Sequence, residues 1–141
     1  MNPEEHLYIL ALKQCKNIGN INLKKLIKNI GSAKKVWKST PQSLLAISGI
    51  GKNSIQNIGN QEFLNFAEKE LKFCEKHDIK IIHQDEESYP KHLLNCDDAP
   101  MILFYKGNLN NELNPVSIVG TRKLTAYGKH FIQDLTQELS G

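Results

Sequence analysis

The first 60 residues carry so many helix start and stop signals that they can hold only short helices joined by tight turns. Pro3 suits the first turn of a helix, Glu4 and Glu5 complement its dipole, and Leu7, Leu10, Ala11 and Gln14 continue at helical spacing to about Lys16. Gly19-Asn20 ends that segment. Leu23, Leu26, Ile27 and Ile30 make a second helix closed by Gly31, and Ser32 caps a short third piece holding Val36 and Trp37. Thr40-Pro41 is a cap followed by proline, which begins a fourth with Leu44, Leu45 and Ile47. A longer helix is expected from Asn60 to about His77, with Phe63, Leu64, Ala67, Leu71 and Cys74 along one stripe assigned to packing. The expectation for residues 1–76 is a compact helical bundle.

Inside that bundle, Leu45-Ala-Ile-Ser-Gly-Ile-Gly-Lys-Asn-Ser-Ile-Gln-Asn-Ile58 places two glycines around one isoleucine between two apolar fragments. The pattern resembles a helix-hairpin-helix of the SAM-like kind. In such a motif the glycines permit a tight turn, the central apolar residue plugs the junction, and free N–H groups of the second helix can hold a phosphate. Gly49, Gly51 and Lys52 are thus a candidate secondary phosphate contact. A hairpin kept only for packing or for a protein partner fits the same residues. Ile18-Gly-Asn-Ile-Asn-Leu23 looks like a weaker copy of it.

After Asp78 the periodicity changes. Ile79 to His83 and Met101 to Tyr105 read as strands, Val116 to Val119 as a third, with a short helical segment from Lys91 to Cys96 between the first two. Ala126 to Leu139, with Phe131, Leu135 and Leu139 four apart, is amphipathic and helical. Strand, loop and helix in that order open a βαβ unit, so residues 77–141 are expected to begin a Rossmann-like α/β domain. The expected fold is therefore α/β with an all-α amino-terminal domain.

The last strand-loop-helix carries the chemistry. A glycine after a buried strand turns the backbone at the carboxyl end of the sheet, where open α/β folds bind ligands and the next helix presents its positive end. Arg122 offers a planar fork of donors suited to phosphate, Thr121 and Thr125 offer hydroxyls, and Lys123 and Lys129 raise the local positive field. Tyr127 can stack on a base, and Gly128 admits a close neighbour. Spacing alone leaves a plainer reading open: Gly120 only turns the chain, Arg122 pairs with an acid, and Tyr127 is core. A strand-loop-helix without parallel neighbours also suggests the front of a truncated domain, with the strand around Ile118 exposed, edge-paired or swapped with another copy.

Composition narrows the partners. The chain has 141 residues, 40% hydrophobic and 23% charged, which suits a folded protein, and its net charge of +3 permits a polyanionic partner without demanding one. Cys15, Cys74 and Cys96 form neither a C-x-x-C pair nor a disulfide set and read as reduced thiols of a cytoplasmic protein. No apolar stretch is long enough to span a bilayer, and no signal peptide is visible. The five histidines do not pair with the cysteines at metal-ligand spacing, Asp85-Glu-Glu87 reads as a solvated loop, and no nucleophile-base-orienter set stands out. Neither a metal, a cofactor nor a catalytic residue is expected.

Tyr89-Pro90, Asp98-Ala-Pro100, Tyr105-Lys-Gly107, Val116-Ser-Ile-Val-Gly-Thr-Arg122 and Thr125-Ala-Tyr-Gly128 together resemble the DNA-processing protein A (DprA/Smf) family. The helical half, with Gly31-Ser32 and the Ile50-centred hairpin, is similar to that family's amino-terminal domain. The resemblance implies a non-enzymatic mediator that binds single-stranded DNA, protects it on entry and loads RecA recombinase in natural transformation. It also implies that the Gly120-Thr121-Arg122 loop lies in the DNA-binding pocket with Arg122 on phosphate; Lys123, Thr125, Tyr127 and Gly128 join the candidate DNA contacts from the chemical reading above. A homodimer is a further partner to weigh. Thr121 stands where serine is commoner in the family. Two other classes remain: a nucleotide-processing enzyme on a related Rossmann scaffold, and a helical protein-interaction module that does not bind DNA.

Overall fold

Five consecutive apolar residues, Tyr8 to Leu12, decide how the helices are arranged. The structure, a computed structural model describing residues 3–109 and 116–139, buries all five of them. They lie on α1 (Pro3–Gln14), and five in a row leave no side of that helix for solvent over its central turns. The sequence spacing suggested one apolar face through Leu7, Leu10, Ala11 and Gln14. Instead α1 is surrounded: α2 (Asn20–Ile30), α3 (Ala33–Lys38) and α6 (Gln61–Lys76) all pack on it.

Local chemistry sets the ends of these helices. Gly31 takes φ +106°, the left-handed conformation that lets its N–H return to the Ile27 carbonyl and close α2. Ser32 then accepts a hydrogen bond from the Lys35 N–H to start α3, and the Glu5 carboxylate of α1 accepts the Ala33 N–H beside it. Thr40 caps α4 (Pro41–Leu45) through the Ser43 N–H, and Asn60 caps α6 through the Glu62 N–H. Between α4 and α5 (Lys52–Ile55) the buried Ile50 closes the junction, with Gly49 at φ +77°. Leu23, Leu26, Val36 and Leu44 complete the core with Ile9 and Leu12.

Asp78, at φ +53°, carries the chain from α6 into β1 (Lys80–His83). β1 pairs antiparallel with β2 (Ile102–Tyr105), His83 opposite Ile102 and Lys80 opposite Tyr105, with α7 (Lys91–Leu94) between them. Met101 and Ile102 join the helical core, so ribbon and bundle form one compact unit, Met1–Asn111. The buried Tyr89 ties the connection down by donating its hydroxyl to the Pro100 carbonyl at 2.6 Å. The structure is mostly helical with this one small antiparallel sheet among the described residues.

The second unit, Glu112–Gly141, holds α8 (Ala126–Leu139), whose bounds match the sequence expectation. The expected strand at Val116–Val119 does not form. A strand exists only through a paired neighbour, and among the described residues β1 and β2 pair only with each other.

His83 is almost wholly buried, and its Nδ1 accepts the Asp85 N–H, which requires the neutral ring; the Asp85 carboxylate 3.4 Å away is therefore no ion pair at neutral pH. Burial lowers the pKa of His83, against the opposing pull of Asp85, Glu86 and Glu5 and reinforced by His6. Burial also lowers that of His6, whose Nε2 has no hydrogen-bond partner among the described residues, with Glu86 and Glu5 opposing and the terminal amine assisting.

Two outcomes follow from the packing. Leu26→Ala should cost about 2–5 kcal/mol in urea unfolding, since the residue is fully buried where α2 meets the core. The two histidines bind protons more readily unfolded than folded, so their contribution is complete above about pH 6.5 and fades as pH falls through the lowered folded values. The melting temperature should drop as pH falls below about 6.5, and His83→Asn should flatten that drop. A wild-type melting temperature that stays level as pH falls contradicts the assignment.

Candidate nucleic-acid interface

Residues 116–125 lead into α8, and Thr125 begins it. The Thr125 hydroxyl oxygen accepts the Gly128 N–H at 3.1 Å, and its carbonyl accepts the Lys129 N–H at 3.0 Å. This cap fixes where the helix starts and leaves the N–H groups of Ala126 and Tyr127 facing outward at its positive end. Gly128 serves the cap directly, because a Cβ there would stand 3.3 Å from the Thr125 hydroxyl. Thr125 and Gly128 thus act first on the shape of the helix start.

Arg122 and Lys123 are exposed immediately before that start. Among the described residues no carboxylate pairs with Arg122, so its guanidinium is free to meet an anion. Thr121 donates its hydroxyl to the Lys123 carbonyl at 2.6 Å, which folds the loop and commits the proton that a phosphate would otherwise receive. Tyr127, 80% exposed, lies in the first turn of α8, open for stacking rather than part of a core. Lys129 is exposed on the next turn. Gly120 has no positive φ, and a Cβ there would meet nothing within 4 Å, so neither a left-handed turn nor crowding requires glycine at this position.

Beside the loop lies an open groove of about 750 Å³ lined by Val116, Ile118, Leu124, Gly128, Phe131 and Leu135 among others. α8 buries no side chain fully, and Val119 is 94% exposed. This unit presents a cationic loop next to uncovered apolar surface.

The hairpin of the first unit is arranged differently. α5 is a single turn, too short to build a strong dipole, so any anion at Gly51 would rely on Lys52 and on free N–H groups. Sequence spacing does not foreshadow Lys25, which reaches across from α2 to donate to the Ser48 carbonyl at 3.1 Å. Its Nζ would lie 2.9 Å from a Cβ on Gly49, so Gly49 keeps that crossing open. Burial pushes the Cys15 thiol up to about 11, away from nucleophilic use. Among the described residues no cluster of His, Cys, Asp and Glu could hold a metal, and no helix is long and apolar enough to cross a membrane.

Residues 80–141 match the family model described as DNA recombination-mediator protein A. The chain is 30% identical to Protein Smf of Synechocystis sp. over 99% of its own length and 36% of that protein's. It is 38% identical to the DNA processing protein DprA of Bacillus subtilis over 43% of its length and 21% of that protein's. No solved structure matches it. The chain spans about a third of the length of the longer-matching relative. The matches together run from the helical bundle through the Arg122 loop and support membership of the DprA/Smf family, the chain being similar to the amino-terminal part of its longer members.

Proposed function

We propose that this chain grips single-stranded DNA as the front part of a recombination mediator, with Arg122 as the principal phosphate contact. The observation that carries the reading is the exposed guanidinium, without a carboxylate partner among the described residues, placed one turn ahead of the α8 amino terminus. A planar fork of donors beside free N–H groups suits a phosphate oxygen better than any neutral ligand. Lys123 and Lys129 add charge that neither needs to desolvate, and Tyr127 offers a face on which a base can stack, worth about 1–3 kcal/mol. Thr121, Thr125, Gly120 and Gly128 shape the loop that presents these groups.

In this reading the helical part is a SAM-like helix-hairpin-helix domain and the carboxyl part opens a Rossmann-like domain. The Smf and DprA names of the relatives, with the family's recombination-mediator description, support a role in DNA processing. Protection of incoming single strands, handover to RecA recombinase, a cytoplasmic location and action without catalysis complete the proposal. Further strands of a longer family member would cover the apolar groove, and a second copy of the chain is the alternative cover.

Arg122→Ala should weaken binding of a fluorescent oligo(dT) about tenfold or more and reduce the slope of log affinity against log salt by about 0.7. Arg122→Lys should restore most of the slope but not the full affinity, because the charge returns without the fork. Anisotropy titrations on the chain and on a longer family protein measure both. Equal affinity of Arg122→Ala and wild type would remove Arg122 from the interface.

A further inference from the structure

Nine of the eighteen basic residues and none of the fifteen acidic ones fall between His6 and Gln61, so the rest of the chain is acidic. Such a separation places the positive field on the helical bundle rather than spreading it evenly. Six of the nine lysines repeat one pattern, Lys24-Lys25-x-x-Lys28 on α2 and Lys34-Lys35-x-x-Lys38 on α3. The spacing i, i+1 and i+4 sets each triplet on one side of its helix, opposite the buried Leu23, Leu26, Ala33 and Val36.

The fold joins these triplets into a ridge. Lys25 crosses to the Ser48 carbonyl and so meets the Gly49–Lys52 turn. Lys28 stands one turn further along α2 and is exposed. Lys35 then folds back over the α2–α3 turn, its Nζ 3.9 Å from where a Cβ on Gly31 would stand. Of the nine lysines only Lys34 is ion-paired, to Glu4 at 2.5 Å; among the described residues the other eight have no carboxylate partner.

We infer that Lys25, Lys28, Lys35 and Lys52 form a second, sequence-independent binding surface for the phosphate backbone of nucleic acid on the helical unit. It does not rest on the Arg122 loop. Lysines one turn apart on a helix offer successive cations to a phosphate chain, and each neutralised phosphate releases a counterion. A membrane surface fits less well. Basic helices that lie on lipid insert an apolar face, and the apolar faces of α2 and α3 are spent in the core.

The test compares four forms of the chain: wild type, Lys25→Gln/Lys28→Gln/Lys35→Gln, Lys69→Gln/Lys72→Gln/Lys76→Gln, and Arg122→Ala. The α6 triple is a control with the same change in charge at three exposed positions. Binding of an oligo(dT) and a duplex, each about 20 units long, is followed between about 50 and 200 mM salt. The ridge triple should lose about 2 from the single-strand slope, or nearly 3 on duplex, and at least tenfold in affinity. The α6 triple should lose little, and Arg122→Ala should leave the ridge effect intact even if the Arg122 reading fails. If the ridge triple does not fold, Lys28→Gln alone should still lose about 0.7 of slope. Equal losses in the two triples, an unchanged slope, or tighter binding to phosphatidylserine vesicles than to either oligonucleotide would overturn the inference.

Discussion

Unit 1 depends on enclosing α1. A helix whose consecutive residues Tyr8, Ile9, Leu10, Ala11 and Leu12 are all buried must be ringed by partners, and α2, α3 and α6 supply the ring. Each large side chain withdrawn from water there contributes about 1.5–3 kcal/mol, so the bundle can use helices too short to persist alone. The same helix organises polar contacts at its amino end. Glu5 accepts the Ala33 N–H that opens α3, and His6 lies close enough to His83 of β1 to influence its protonation. Helix order and ribbon placement are thus consequences of one buried element.

What the sequence made legible was mostly what a few neighbouring residues decide among themselves. Ser32, Thr40 and Asn60 accept N–H groups two or three positions ahead, and Gly31 adopts its left-handed turn without help from distant chain. The span of α8 was readable for the same reason. The all-round burial of α1 was less so, because it is set by which helices surround it. Val116–Val119 has strand composition but no ladder among the described residues, since pairing belongs to the partner as much as to the strand.

The candidate site divides along the same line. Arg122 ahead of a helix start could be read directly, and the structure leaves it exposed and, among the described residues, without an acid. The hydroxyls were read as ligand donors, yet Thr125 is engaged as a cap and Thr121 as a loop closure. Small polar residues beside a helix start meet the backbone before they meet a guest. The crossing of Lys25 to Ser48 was invisible because 23 positions separate them and only packing brings them together.

Charge on the helical unit is not needed to hold it together. Lys24 and Lys25 donate to the Asp97 and Ser48 carbonyls, which satisfies those oxygens but leaves both ammonium charges uncompensated. Like charges one helical turn apart oppose folding by a few tenths of a kcal/mol per pair, and salt screens them over about 8 Å at physiological strength. A fully buried aliphatic core outweighs that opposition several times over. Positive charge that the fold tolerates rather than uses is available to attract something else, and a polyanion threading past Lys52, Lys25, Lys28 and Lys35 would turn the mutual repulsion into binding.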